Sequence, residues 1–207
     1  MARVLIVDDE EDLLSMVGAV FRSEGFDVLT ANSGEAALEL LEVEHVDIIL
    51  LDVMMPDMDG WAVASEIKSR GLAIGTPISM LTVKSMNPAY FYSDEIEGIN
   101  DYINKPFSKK ELITRVNNIL EEADKIKSTR QILHDISPDF GVEYADLMRA
   151  QRLYENLKKS MELSLTKLDS GSEEYTMIKD TFDYCILLLE RIKEKKDGYE
   201  KLIAENK

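Results

Sequence analysis

Short apolar runs, each followed by a helical pattern, dominate the first half of the chain. Runs at 4–7 and 48–51 are too short for helices and do not alternate with polar residues, so they predict strands buried on both faces. Segments at 27–30, 78–81 and 102–104 predict three further strands. Five strands alternating with helices predict an α/β fold, a doubly wound parallel sheet with right-handed crossovers and helices on both faces.

The second half of the chain shows only helical periodicity. The last helix of the α/β region keeps its apolar spacing far beyond the sheet, which predicts a connector helix that runs to about Leu133. A break at 137–141 precedes two more helices, in which mostly apolar residues recur in alternating steps of three and four. These positions are Leu147, Ala150, Tyr154, Leu157, Met161, Ser164 and Leu168, then Tyr175, Ile178, Phe182, Cys185, Leu189, Ile192, Lys196, Tyr199 and Ile203. The pattern predicts an α/β domain over residues 1–120 and an all-α hairpin or coiled-coil extension over 121–207.

The third of these long helices is apolar on more than one face around Tyr184 to Leu189. A hairpin of two helices cannot bury such a segment, so it must pack against the connector helix or a second subunit. We favour a homodimer formed through the C-terminal helices. A monomeric three-helix arrangement is the alternative.

Charge and hydropathy narrow the function classes. The net charge is −16, and neither half of the chain has the basic excess that binding to a phosphate backbone needs, so we expect no direct contact with nucleic acid. No apolar run approaches a membrane span of about 20 residues, which predicts a cytoplasmic protein without membrane contact. The single cysteine, Cys185, lies in a helical apolar stripe, where it is expected to pack in the core.

Polar residues with complementary chemistry follow the predicted strands. Asp8 and Asp9 come after the first strand and Asp52 ends the third, whereas Thr82 and Lys105 follow the fourth and fifth. In a flavodoxin-like strand order, with strands one, three and four central, the carboxyl ends of these strands meet at one edge. The sequence therefore predicts a small cleft that contains three carboxylates, a hydroxyl and an ammonium.

These residues, with Tyr102, stand in a pattern that resembles the receiver domains of two-component response regulators over residues 1–120. The matching motifs are the acidic pair after the first strand, Leu-Asp-Val-Met-Met-Pro-Asp-Met-Asp-Gly at 51–60, Leu-Thr-Val-Lys-Ser at 81–85 and Lys-Pro-Phe at 105–107. The resemblance implies that Asp52 accepts a phosphoryl group from a histidine kinase or phosphotransfer protein. It also implies that the chain catalyses only its own phosphorylation and dephosphorylation, and acts on an unidentified downstream protein.

The chemistry suits these residue types. Crowded carboxylates repel each other and a hard divalent cation relieves the repulsion, so Asp8, Asp9 and Asp52 are expected to bind Mg²⁺, together with the backbone carbonyl of Met54 that the resemblance implies. With the metal bound, the Asp52 carboxylate can act as a nucleophile on phosphorus.

The other site residues take the roles that the resemblance implies. Lys105 contacts the phosphoryl group, and Thr82 donates its hydroxyl to that group while Tyr102 rotates inward. This change alters the surface formed by the last strand with the helices before and after it. We also expect Met54 and Lys84 to influence dephosphorylation.

Two alternatives remain open at this stage. His134, followed by Asp135 and then Pro138, weakly resembles the phospho-accepting box of histidine kinases, so a histidine phosphotransfer role is one alternative. A transcriptional regulator is the other, and it requires a compact helix-turn-helix that the long periodic helices do not suggest. Val83, where the family commonly has alanine, and the aromatic segment 86–92 depart from the family pattern.

Overall fold

The computed structural model describes residues 1–82 and 99–206. Contacts divide the chain into two compact units, the first ending at Ala123 and the second including everything from Asp124 onward. Val83, Lys84, the aromatic segment 86–92 and a short helix predicted at 88–97 lie outside the described residues.

The first unit is built on a five-stranded parallel sheet. Its strands are β1 Arg3–Val7, β2 Asp27–Ala31, β3 Ile48–Asp52, β4 Ile78–Thr82 and β5 Ile99–Asn104, in the order β2-β1-β3-β4-β5. Every neighbouring pair is parallel. The predicted fold is therefore confirmed, and strands one, three and four are central as expected.

The last strand begins earlier than its apolar residues indicated. Ile99 already pairs with Ile78, but the register then shifts, so Ser79 pairs with Asp101. Asn100 lies at this bulge, and its side-chain oxygen accepts a hydrogen bond (3.0 Å) from the backbone N–H of Ile78. The buried Asn100 side chain thus takes the place of a backbone acceptor that the bulge removes, and β5 stays paired with β4. Because asparagine is polar, the apolar pattern of the sequence does not indicate a strand at this position.

Helices cover the sheet on both faces. They are α1 Glu11–Ser23, α2 Gly34–Val43, α3 Gly60–Ser69 and the first part of α4 Lys109–Ile136. The Ser33 and Asp59 side chains cap α2 and α3 by accepting hydrogen bonds from the N–H groups of Ala36 and Ala62. All five β3 residues are buried, which confirms that this strand lies at the centre of the sheet.

Three long helices contribute to the second unit. The end of α4 is followed by α5 Pro138–Leu165 and α6 Glu173–Glu205. The predicted five-residue break is wrong in extent: α4 continues to Ile136, and Pro138 already begins α5. Proline fits the first turn of a helix because the N–H it lacks would have no partner inside the helix there. Ser137 is therefore the one residue between α4 and α5.

The predicted apolar stripe of α6 is confirmed, since none of its nine positions is exposed. The stripe predicted for α5 is only partly correct. None of its seven positions is exposed, and Leu157 and Met161 are buried, but Leu168 lies beyond the end of the helix. The first turns of α5 instead bury Tyr144 and Met148, because this part of the helix packs on a second neighbour, α4.

The end of α4, the start of α5 and the end of α6 share one small core. Leu133, Tyr144 and Met148 are buried there, with Tyr199 and Ile203 from α6 packed against them. Gly141 allows α5 to approach α4 closely, since a Cβ at this position would lie 2.8 Å from the Arg130 carbonyl oxygen and 3.1 Å from the His134 Cβ.

The connector helix therefore packs against the C-terminal end of α6, as the three-helix alternative requires. It does not cover the segment that motivated the homodimer prediction: Tyr184 and Leu187 are 37% and 44% exposed. The homodimer stays a prediction. Among the described residues, no helix is long and apolar enough to cross a membrane.

Candidate functional site

Two buried carboxylates lie at the carboxyl edge of the sheet. Asp8 follows β1 and is fully buried, whereas Asp52 ends β3 and is 3% exposed. Their strands are direct neighbours, with Val7 paired to Leu51, so the two aspartates lie side by side. The sequence prediction that strand ends bring these residues together is confirmed for this pair.

Lys105 joins the two carboxylates. Its Nζ lies 2.6 Å from the Asp8 Oδ2 and 2.6 Å from the Asp52 Oδ1, and its side chain is only 10% exposed. The backbone directs it there, since the Lys105 N–H donates to the Thr82 carbonyl and a cis peptide bond joins Lys105 to Pro106. In the part of the chain that the structure describes, one ammonium therefore balances two buried negative charges, and these three groups together keep a net negative charge.

The second oxygen of each carboxylate accepts a backbone hydrogen bond. The Asp8 Oδ1 accepts from the Glu10 N–H (2.9 Å), and the Asp52 Oδ2 accepts from the Met54 N–H (2.7 Å). The loop after Asp52 is tight, because a Cβ on Gly60 would lie 2.2 Å from the Asp52 carbonyl oxygen. Glycine is thus required here by the close approach of two backbone segments.

Burial dominates the electrostatics of this pair. It raises the pKa of Asp52 above its usual value, and the nearby Asp8 charge adds to this rise, although Lys105 and the Met54 N–H oppose it. Burial by itself would lower the pKa of Lys105, but hydrogen bonds to Asp52 and Asp8 outweigh burial and raise it. The site thus keeps its ammonium firmly protonated while leaving Asp52 a comparatively basic carboxylate.

Two further predicted residues lie on β4 and β5. Thr82 is 2% exposed at the end of β4, where its carbonyl accepts from the Lys105 N–H. Tyr102 pairs with Met80 in the neighbouring strand. The centre of its ring lies 5.9 Å from that of Trp61, the residue that directly follows Gly60. Trp61 was not predicted at this site, because its helical spacing indicated only core packing.

The predicted metal set is only partly assembled. Asp8 and Asp52 offer hard carboxylate oxygens in a site with excess negative charge, which is the chemistry that Mg²⁺ prefers. Asp9 is exposed, and within residues 1–82 and 99–206 no group of three or more His, Cys, Asp or Glu side chains is arranged to hold a metal. The two buried carboxylates fit the ion, and the roles of Asp9 and the Met54 carbonyl stay predictions.

A buried ion pair beside Tyr102 was also missed by the sequence analysis. Asp101 is fully buried on β5, and Arg115 from α4 binds it with Nη2–Oδ1 and Nε–Oδ2 distances of 2.7 and 3.2 Å. The same Nη2 donates to the Tyr102 carbonyl oxygen (2.8 Å). A charged residue on an amphipathic helix usually indicates a solvated face, so the sequence offers no signal for this contact.

His134, the alternative phosphoacceptor, lies far along the chain from these residues. It is exposed in the last turn of α4. The phosphotransfer role stays a prediction.

Comparisons with known proteins agree with this geometry. A family model described as the response regulator receiver domain matches residues 4–117. The response regulator SaeR of Staphylococcus aureus strain USA300 is 39% identical over 125 residues, which is 60% of this chain and 53% of that protein. The chain therefore spans about half the length of the curated relatives it matches.

Solved structures resemble the same region. A CheY-like receiver domain protein from Methanospirillum hungatei is 33% identical, with a TM-score of 0.55 over 59% of this chain and 97% of its own. The response regulator TrrA of Thermotoga maritima, solved in complex with Mg²⁺-BeF, is 30% identical, with a TM-score of 0.51 over 57% and 99% of the two chains. The sheet order, the motifs and the family match show that this chain belongs to the response regulator receiver domain family of two-component signalling.

Proposed function

We propose that Asp52 accepts a phosphoryl group from a partner histidine kinase or phosphotransfer protein, and that the C-terminal helices pass on the resulting change. The observation that carries this proposal is the placement of the Lys105 ammonium 2.6 Å from both Asp8 and Asp52. A buried carboxylate beside a fixed cation is well suited to accept a group whose negative charge grows during transfer.

The Asp52 carboxylate acts as the nucleophile in this reaction. One of its oxygens forms a bond to phosphorus while the bond from phosphorus to the kinase imidazole breaks, and that imidazole leaves with a proton. Lys105 is already protonated and stabilises the charge on the phosphoryl oxygens. The Thr82 hydroxyl donates a hydrogen bond to one of these oxygens from the end of β4.

Asp8 and Asp52 would hold Mg²⁺, with Asp9 and the backbone carbonyl of Met54 as further ligands. When bound, the ion supplies positive charge that offsets the repulsion between the carboxylates and the incoming phosphoryl group. Support comes from the two buried carboxylates, which within residues 1–82 and 99–206 share the one ammonium of Lys105. The chain is proposed to catalyse no reaction other than its own phosphorylation and dephosphorylation.

The route to the output passes through Tyr102 and Arg115. A shift of Tyr102 moves the β5 carbonyl that Arg115 binds, and Arg115 belongs to α4. Since α4 contributes residues to both units, a change at β5 reaches the C-terminal helices through one continuous helix. The output is proposed to be association with a further copy or a downstream protein in the cytoplasm.

A direct test uses a small phosphodonor. The full chain is incubated with acetyl phosphate and Mg²⁺, and its intact mass is measured. One added phosphoryl group is expected in the native chain and none in Asp52→Asn. Asp57→Asn is the matched control, because Asp57 is exposed five residues away with a φ of 63° that asparagine tolerates.

Uptake by Asp52→Asn, or no uptake by the native chain, would overturn the proposal. The residue that carries the phosphoryl group also tests the alternative of histidine phosphotransfer. Acid-labile phosphate on His134 after incubation with a phosphorylated kinase would favour that alternative. The transcriptional alternative is tested by salt-dependent retention on DNA at near-physiological ionic strength.

A further inference from the structure

A second row of positions with coiled-coil spacing runs along α6, apart from the row that packs on α5. Met177, Asp180, Tyr184, Leu187, Arg191 and Glu194 follow one another in steps of three, four, three, four and three. All six are exposed, with Met177, Tyr184 and Leu187 at 51%, 37% and 44%. We call these six residues the outer seam.

The outer seam has the layout of a helix interface. Steps of three and four place side chains on one side of a helix, as the a and d positions of a coiled coil do. Large apolar side chains lie at its centre, and charged residues lie at Asp180 and Arg191 on either side. The helix is 33 residues long, about 50 Å, which is enough to present several turns to a partner.

The charges show which partner fits. When two copies of α6 pack antiparallel about a two-fold axis at the midpoint between Cys185 and Ile186, Asp180 faces Arg191 of the partner subunit. In the same arrangement Tyr184 faces Leu187 of the partner subunit. The apolar centre is thus covered, and Asp180 and Arg191 are paired twice by symmetry, while Glu194 faces Met177 of the partner subunit at the ends of the seam.

The wider charge pattern of α6 favours the same arrangement. Antiparallel packing about this axis places residues 173–183, which contain four acidic residues and one lysine, opposite residues 188–198, which contain four basic and three acidic residues. The first segment has a net charge of −3 and the second a net charge of +1, so the two segments attract each other. Parallel packing would instead place like charges opposite each other, which is destabilising.

We infer that the outer seam of α6 is the surface on which a second copy of this chain docks, antiparallel and about a two-fold axis near residues 185 and 186. This inference deepens the proposed output of the C-terminal helices by naming the surface and the orientation. It does not depend on phosphorylation, so it can be tested without a phosphodonor.

Charge reversal tests both the surface and the orientation. Full-length chains are compared by sedimentation equilibrium at low and high salt, with circular dichroism to verify helix content. Asp180→Arg and Arg191→Asp each replace two attractive contacts by two repulsive ones, so each is expected to weaken the dimer about tenfold or more. The double variant Asp180→Arg with Arg191→Asp restores complementary charges and is expected to recover the native mass.

Further variants separate the apolar centre from general surface effects. Leu187→Glu is expected to give monomers, whereas Leu163→Glu, at a 58% exposed leucine of α5, is the matched control and should leave the mass unchanged. High salt should weaken the native dimer, because exposed charge pairs are screened.

Three results would overturn the inference. They are a native chain that is monomeric at every concentration, single charge reversals that leave the mass unchanged, and a double variant that stays monomeric. Failure of phosphate uptake at Asp52, measured separately, would leave these results unaffected.

Discussion

Removing the Arg115 side chain should destabilise the first unit strongly, because it leaves the Asp101 carboxylate buried without its cation. Asp101 is fully buried, and Arg115 supplies two of its hydrogen bonds. Breaking a buried ion pair by removing one partner costs roughly 3 to 5 kcal/mol. The Tyr102 N–H still donates to the Asp101 Oδ1 (2.8 Å), so we expect Arg115→Ala to cost about 3 kcal/mol, the lower end of that range.

The chain provides a reporter confined to this unit. Its single tryptophan, Trp61, begins α3, so tryptophan fluorescence follows unfolding of the first unit without a contribution from tryptophan in the helical unit. Thermal or urea unfolding followed by this signal should show a melting temperature lower by on the order of 10 °C in Arg115→Ala.

Controls distinguish ion-pair loss from damage to the helix. Lys110→Ala removes an exposed cation from the same helix and should change stability by less than about 0.5 kcal/mol. Asp101→Leu combined with Arg115→Leu removes both charges and should be much less destabilising than Arg115→Ala, since no unpaired charge remains buried. An Arg115→Ala variant as stable as Lys110→Ala would refute the reasoning.

Three other predictions concern the site and the helical unit. Gly60→Ala places a Cβ 2.2 Å from the Asp52 carbonyl oxygen, so it should lower the stability seen by tryptophan fluorescence and abolish phosphate uptake; native-like uptake would contradict this. The raised pKa of Lys105 means that its contribution to stability is present below its ordinary value of 10.5 and is lost as pH rises through the folded-state pKa. Asp52→Asn keeps Lys105 buried but removes one of the two carboxylate charges beside it, so an NMR titration of the Lys105 side chain should show a lower pKa than in the native chain. An equal or higher pKa would contradict the contact of Lys105 with both carboxylates. Burial raises the pKa of Cys185 to about 12, so alkylation by iodoacetamide should be slow until the helical unit opens in urea; rapid labelling of the native chain would contradict its buried position.

The sequence was most informative where one physical rule acts alone. Apolar runs of four residues predicted β1 and β3, because strands buried on both faces have no polar side to mask them. Asp8 and Asp52 were predicted to meet because parallel strands end at the same edge. None of the nine positions of the α6 stripe is exposed, since that helix buries one side against α5 and, near its C-terminal end, against α4.

Prediction failed where the contacts of a residue come from a distant part of the chain. The start of α5 packs on α4 as well as α6, so its buried residues depart from a single stripe. The start of β5 was hidden because the buried Asn100 and Asp101 are polar and find their partners in other elements. Arg115 could not be recognised, since a charged residue beside apolar positions looks the same whether it faces water or a buried carboxylate.

By itself the sequence determined the order of elements, the five-stranded parallel fold, the site residues Asp52 and Lys105, and the long helices after the sheet. Local periodicity and strand-end chemistry suffice for these features because they depend on residues close together in the chain. Tertiary structure decided that Lys105 contacts two carboxylates, that Arg115 binds Asp101 and the Tyr102 carbonyl of β5, and that the outer seam of α6 is exposed. These depend on which distant side chains come within a few ångströms, and burial then turns ordinary charges into specific contacts.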